Sequence, residues 1–142
     1  MSSIQTYLNF NGNTEEAFNF YKSVFGGEFE TLQRFKDVPS GNHMPSGVQG
    51  DKIMHISLPV GPNTILMGSD VPPTMPQTVT GTNFSLTYTP DSAEETERVF
   101  KALSEGGKIT MPLDKVFWGA YFGMCTDRFG IQWMVNYNMN NK

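Results

Sequence analysis

One cysteine, no long apolar run and no cluster of basic residues mark this 142-residue chain, and each scarcity closes a class of function. A lone Cys125 cannot form an intrachain disulfide, so a reducing cytoplasm is the expected compartment. The apolar stretches are only a few residues long, against about 20 needed to cross a bilayer, and no membrane span is expected. The segment MSSIQTYLNF has neither a basic n-region nor a continuous apolar h-region, so no export signal is expected. Ten Lys and Arg are scattered among 14 Asp and Glu for a net charge of −4, and with no basic stripe nucleic acid is not an expected partner. Hydrophobic residues at 38% and charged ones at 17% suit a globular chain rather than a disordered one. Aromatics at 13% and nine methionines are plentiful; a packed core takes most of them, and a cavity or subunit interface could take the rest.

Residues 4–10 (IQTYLNF) alternate as a half-buried strand does, with Leu8 and Phe10 on one face and Gln5, Tyr7 and Asn9 on the other. Asn11-Gly12-Asn13 turns the chain into a helix capped by Thr14, with Glu15 and Glu16 where the helix dipole favours acids. Ala17, Phe20, Tyr21, Val24 and Phe25 form its expected buried stripe, and Gly26-Gly27 ends it. A strand is expected over 28–36, a long loop over 37–51 that includes a solvated His43, and a hairpin of 52–59 and 63–69. Residues 71–81, with three prolines and no apolar period, read as a linker. The pattern then restarts with a strand over 83–89. A helix follows with Val99, Phe100 and Leu103 buried and Gly106-Gly107 at its end, then strands at about 108–113, 119–126 and 131–137.

The restart is a repeat. Glu15-Glu16 and Glu94-Glu95 lie 79 apart, as do Tyr21-Lys22 and Phe100-Lys101, while Gly26-Gly27 and Gly106-Gly107 lie 80 apart. A shift of 78 superimposes Leu8 on Leu86 and Phe10 on Tyr88. Several matches in one order argue for duplication. The reading is an α+β chain forming a single domain over 1–142, with module one at 1–70, a linker at 71–81 and module two at 82–142. Each module is βαβββ, and the two form a cup-shaped mixed sheet with helices outside.

The segments YLNFNGNTEEAFNFYKSVFGGE, IMHISLPVGPNTILMGSD and FWGAYFGMCTDRFGIQWMVNY together resemble the PhnB-like branch of the glyoxalase/bleomycin resistance/dioxygenase (vicinal oxygen chelate) superfamily. The resemblance covers nearly the whole chain and implies paired βαβββ modules, each sheet half of a cup, and a homodimer. Some relatives carry the label 3-demethylubiquinone 3-methyltransferase. No glycine-rich turn between strand and helix is present to hold a methyl donor's nucleotide.

In catalytic members of that superfamily a divalent metal binds His, Gln or Glu on the inner faces of the first and last strands and chelates two substrate oxygens. The resemblance places these positions at Gln5, Asn83, Met134 and, by the repeat, Ile65. Neutral amides hold a hard cation weakly, a thioether suits soft copper, and isoleucine binds nothing. No Glu lies between residues 31 and 93 or after 105, so no small register slip supplies one to either last strand. No metal and no other cofactor is expected.

If Leu8, Phe10, Phe84, Leu86, Tyr88, Ile131, Trp133 and Val135 pack against the helices, the remaining strand residues line the cup. These are Gln5, Tyr7, Asn9, His55, Ser57, Ile65, Met67, Asn83, Ser85, Phe122, Met124, Gln132 and Met134, with Trp118 at the rim. An apolar, aromatic lining with a few amides and hydroxyls is the composition of a small-molecule pocket. His55 is either a base or ligand-orienting donor, or a half-buried histidine satisfied by a backbone carbonyl or by Ser57. Tyr7 and Trp118 either stack on a planar ligand or seal an interface. Cys125, on the helix-facing phase, reads as an inert thiol, Asp127-Arg128 as a turn closure and Lys115 as a solvated lysine. The expected function is metal-independent binding of an apolar or aromatic small molecule. The alternatives are a metal-dependent lyase or dioxygenase-type enzyme using a shifted site, or a cup filled by its own side chains in a protein that acts by dimerisation.

Overall fold

The computed structural model describes residues 2–37 and 49–139, and His43 lies outside the described residues. The chain divides into two compact units, Met1–Val79 and Thr80–Lys142. The first comprises β1 (Thr6–Phe10), α1 (Thr14–Phe25), β2 (Thr31–Arg34), a 3-10 turn at Phe35–Asp37, β3 (Ile53–Pro59) and β4 (Ile65–Asp70). The second comprises β5 (Leu86–Tyr88), α2 (Ala93–Ser104), β6 (Lys108–Val116), β7 (Ala120–Thr126) and β8 (Gln132–Asn138). Each is a βαβββ unit with a four-stranded mixed sheet, in the orders β1-β4-β3-β2 and β5-β8-β7-β6. The first strand of each unit runs parallel to its last, and the other pairs are antiparallel. Among the described residues no helix is long and apolar enough to cross a membrane.

One side of each sheet is covered by its own helix, and a glycine sets how close the helix comes. In the first unit Phe18 rests on Gly68 of β4, where an added Cβ would stand 2.7 Å from the Phe18 ring. In the second, Phe100 rests on Gly123 of β7 with the same 2.7 Å clearance. Around these contacts the cores close: Leu8, Phe10, Ile56, Leu58 and Leu66 under α1, and Cys125, Trp133 and Val135 under α2, are all buried.

The buried stripe of α1 differs from the predicted one. Thr14, Ala17, Phe18, Tyr21 and Val24 are buried, whereas Phe20 and Phe25 are half-buried. Ala17, Tyr21 and Val24 match Thr96, Phe100 and Leu103 of α2. Phe20 and Val99 share the 79-residue offset of the repeat yet are not equivalent core positions, because α1 lays Phe18 on the bare backbone of Gly68. Nor is Thr14 the N-cap. The helix begins at Thr14, and Asp70 from the end of β4 supplies the cap: one carboxylate oxygen accepts from the Thr14 N–H (3.0 Å) and hydroxyl (2.7 Å). Its other oxygen accepts from the Ile53 N–H at 2.8 Å. In α2 the local device suffices, and the Ser92 hydroxyl accepts from the Glu95 N–H.

Strand lengths are corrected as well. β5 covers only Leu86–Tyr88 rather than 83–89, so Asn83 and Ser85 precede it and Phe84, expected against the helix, is 56% exposed. The Gln132 side-chain amide donates to the Phe84 carbonyl, standing in for a ladder bond that β5 does not extend far enough to make. β6 is longer than expected at nine residues, is exposed along most of its length, and carries Pro112 and two register breaks.

Candidate functional site

The faces away from the helices carry the residues of interest, and strand register places them. In the first unit Tyr7, Met67, Ser57 and Thr31 are cross-strand neighbours in one row across β1, β4, β3 and β2. Asn9 stands opposite Ser69, and His55 opposite Gln33. Tyr7 and His55 come from strands separated by β4, yet their side chains meet. The rings stack at 5.7 Å with planes 28° apart, and the Tyr7 hydroxyl lies 3.3 Å from His55 Nδ1. The partner of His55 is therefore Tyr7, neither a backbone carbonyl nor Ser57. The Ser57 hydroxyl is buried, with no hydrogen-bond partner among the described residues.

In the second unit Thr87, Met134, Met124 and Met111 form one row across β5, β8, β7 and β6. The Thr87 hydroxyl donates to the Met134 sulfur at 3.9 Å. Phe122 stands opposite Asn136, and Trp118 from the β6–β7 turn meets the Phe122 ring edge-on at 5.9 Å. Trp118 is 54% exposed, and the neighbouring Phe117 is 97% exposed. Gln132 stands opposite Thr126, its amide engaged by Phe84.

Tyr7, His55 and Met67 thus share one face, and Phe122, Gln132 and Met134 share another with Trp118 beside it. Gln5 sits just before β1, and Asn83 lies off any strand, exposed. Sequence reasoning missed Met111 and Asn136. Met111 lay inside the expected strand, but the register breaks on either side of it interrupt the alternation that would have set its face, while Asn136 was legible as the next alternate residue after Met134; among the described residues its side-chain oxygen is buried without a partner. On the open faces of β1, β3, β4, β5, β7 and β8 the register places no Asp, Glu, Lys or Arg. Cys125 points the other way, and burial pushes its thiol up to about 11, which makes it a poor nucleophile.

The four positions implied for a metal do not fit a hard divalent ion. The Gln5 carbonyl oxygen accepts from the Ile65 N–H at 3.4 Å, and its amide nitrogen donates to Ser3. Ile65 has no donor atom, Met134 offers only a thioether, and Asn83 stands in a turn. Among the described residues no three His, Cys, Asp or Glu come together.

Two clefts of about 560 and 330 Å³ open elsewhere in the first unit, where α1 begins beside the end of β4. None of the predicted site residues lines them, and much of their charge is already engaged. Glu15 forms a two-pronged ion pair with Arg34 at 2.9 and 2.6 Å, which holds its carboxyl below the usual carboxylate range. Lys52 donates to the Gly12 carbonyl at 2.8 Å, and Asp70 is consumed by the α1 cap.

A family model described as 3-demethylubiquinone-9 3-methyltransferase matches residues 2–136. Protein PA1353 from Pseudomonas aeruginosa is 44% identical, covers 97% of this chain and 98% of its own, and superimposes with a TM-score of 0.84. A PhnB protein from Bacillus cereus, described as a putative 3-demethylubiquinone-9 3-methyltransferase, is 28% identical over 96% of this chain and 99% of its own, with a TM-score of 0.76. Protein YjdN from Escherichia coli (strain K12) is 33% identical over 94% of this chain and 93% of its own length. The fold alone is shared with a glyoxalase/bleomycin resistance protein/dioxygenase family enzyme from Burkholderia phytofirmans PsJN, at 15% identity over 94% and 97% of the two chains and a TM-score of 0.59. The chain belongs to the 3-demethylubiquinone-9 3-methyltransferase family, is similar to a PhnB protein of that description, and has the fold of the glyoxalase/bleomycin resistance/dioxygenase enzyme.

Proposed function

We propose that this protein binds an apolar or aromatic small molecule on the open faces of its sheets without a metal ion. The observation that carries the reading is the lining itself: Tyr7, Met67, Phe122, Met124 and Met134 interspersed with uncharged polar groups, on strands whose open faces hold no carboxylate, ammonium or guanidinium. Such surfaces bind by shape and polarisability, and methionine adapts to ligands of differing outline. Methyl transfer is not part of the proposal. Neither strand-to-helix connection, Asn11-Gly12-Asn13 or Thr89-Pro90-Asp91-Ser92, is a glycine-rich phosphate cradle.

The test is titration with the uncharged aromatic dye Nile red, followed by its fluorescence. Saturable micromolar binding is expected, weakened at least about tenfold by Met134→Glu at unchanged melting temperature, since an apolar ligand covering a carboxylate strips it of water and gives it no partner. Unsaturable binding, or binding indifferent to Met134→Glu and Met67→Glu alike, sinks the proposal. Calorimetric titration with nickel, zinc and manganese tests metal independence, and no stoichiometric micromolar binding is expected. Stoichiometric binding lost in Gln5→Ala puts the metal-dependent lyase or dioxygenase-type reading first.

We also propose a cytoplasmic homodimer. The exposed aromatic pair Phe117 and Trp118, with Ile109 and Met111 on β6, is apolar surface of the kind subunit contacts cover. Light scattering at micromolar concentration should return twice the 15.9 kDa chain mass, and a monomer mass excludes the dimer.

A further inference from the structure

Tyr7 and His55 lean toward each other over β4, and the chemistry of their contact fixes where the imidazole carries its proton. The Tyr7 oxygen is 3.3 Å from Nδ1, and among the described residues no other hydrogen bond reaches either side chain. A phenol O–H is a stronger donor than an imidazole N–H, and the unprotonated imidazole nitrogen is the strongest neutral acceptor a side chain offers. The favoured arrangement has Tyr7 donating to Nδ1, which leaves the ring proton on Nε2. Nε2–H is then a donor with no partner among the described residues. Two residues along β3 on the same face, the Ser57 hydroxyl is also without a partner among the described residues, in a residue only 3% exposed. The two strand positions are about 6.6 Å apart. The Tyr7 and His55 rings, 28° from parallel with centroids 5.7 Å apart, stack beside them, and Tyr7 is 42% exposed.

We infer that His55 recognises a carbonyl oxygen on a planar, uncharged ligand through Nε2–H, with Tyr7 as the positioning residue that sets its tautomer. This rests on the reading that the open faces bind a small molecule, and it names the ligand class. A neutral carbonyl suits the site better than a carboxylate, because no Lys or Arg stands on the open faces of β1, β3 or β4 to offset an anion. A flat ring can stack on the exposed Tyr7 ring while its carbonyl reaches the imidazole edge.

Two measurements test the inference. Nitrogen–proton correlation spectra of the His55 ring, assigned by comparison with His55→Gln, should show the Nε2–H tautomer in the wild type and a mixture in Tyr7→Phe. An Nδ1–H tautomer in the wild type overturns the inference. Binding of 2-acetylnaphthalene and 2-ethylnaphthalene, matched in size but differing in the carbonyl, is then followed by amide chemical shifts. The wild type should prefer the ketone by about tenfold, a preference lost in His55→Leu and reduced in Tyr7→Phe. Tyr7→Phe removes one oxygen from a half-exposed ring, so it keeps the test available should His55→Leu not fold. Equal binding of both probes to the wild type, or a preference that survives in His55→Leu, sinks the inference and leaves small-molecule binding standing. If neither probe binds, small-molecule binding fails and the inference falls with it.

Discussion

Ser57 and Cys125 are buried polar residues with opposite consequences. The Ser57 hydroxyl has lost water and gained no partner among the described residues, a condition costing about 1–3 kcal/mol. Ser57→Ala is therefore expected to hold or raise the melting temperature by a few degrees in scanning calorimetry, and a clear fall would reveal a partner for the hydroxyl. Cys125 is buried as a neutral thiol, with folding raising its pKa from 9.0 to about 11. The unfolded chain thus gives up this proton first as pH rises, so its stabilising contribution is complete below pH 9 and lost between pH 9 and about 11. That gap corresponds to about 2–3 kcal/mol. Cys125→Ala should flatten this alkaline limb in urea melts, and an unchanged limb would assign it to other groups. Alternation alone placed Cys125 on the helix side, so that residue was legible. The partner of His55 was not. Side chains at i and i+2 of a strand stand parallel about 6.6 Å apart, so Ser57 was a poor candidate, and Tyr7 becomes one only once β4 is known to lie between β1 and β3.

Elements here are fixed by contacts from outside themselves. A methyl at Gly68 would meet both the Phe18 ring at 2.7 Å and the Leu8 carbonyl at 2.8 Å. Gly68→Ala should cost about 1–3 kcal/mol in denaturant midpoint, and Gly123→Ala, which crowds Phe100 and the β6 backbone, a similar amount. A cost near zero in both would mean that the helices float above their sheets. Asp70 binds the start of α1 to β3 and β4, so Asp70→Ala removes a cap and orphans the Ile53 N–H, a loss of about 3 kcal/mol. Hydrogen exchange should quicken first in the opening turn of α1, and uniform protection would show that another group caps the helix. Helical period located both helices but misjudged the face of α1, because Phe18 and Phe20 fit the period almost equally and only a glycine on β4 decides between them. β5 was overread because a side chain, Gln132, takes over where the alternating letters of 83–85 suggested backbone pairing.

At the scale of the molecule the duplication was legible because it is written in spacing, which survives substitution. The candidate site was legible only as a set of strand faces, because contacts such as Tyr7 with His55 depend on strand order rather than strand sequence. Duplication has a further consequence at β6. Building two four-stranded sheets in place of one larger sheet doubles the number of outer strands, and β6 is the longest of them, lying at the end of its sheet. An outer strand of nine residues bearing Ile109, Met111, Leu113 and Val116 is a template on which a second chain could polymerise. Pro112 withholds an amide donor at its middle, the two register breaks bend its rim, and Lys108 and Lys115 charge its ends. Pro112→Val should leave the melting temperature nearly unchanged while shortening the lag before thioflavin-positive aggregates form on warm incubation; an unaltered lag would place the safeguard elsewhere. The proline in β6 belongs less to the fold of one molecule than to the peaceful coexistence of many.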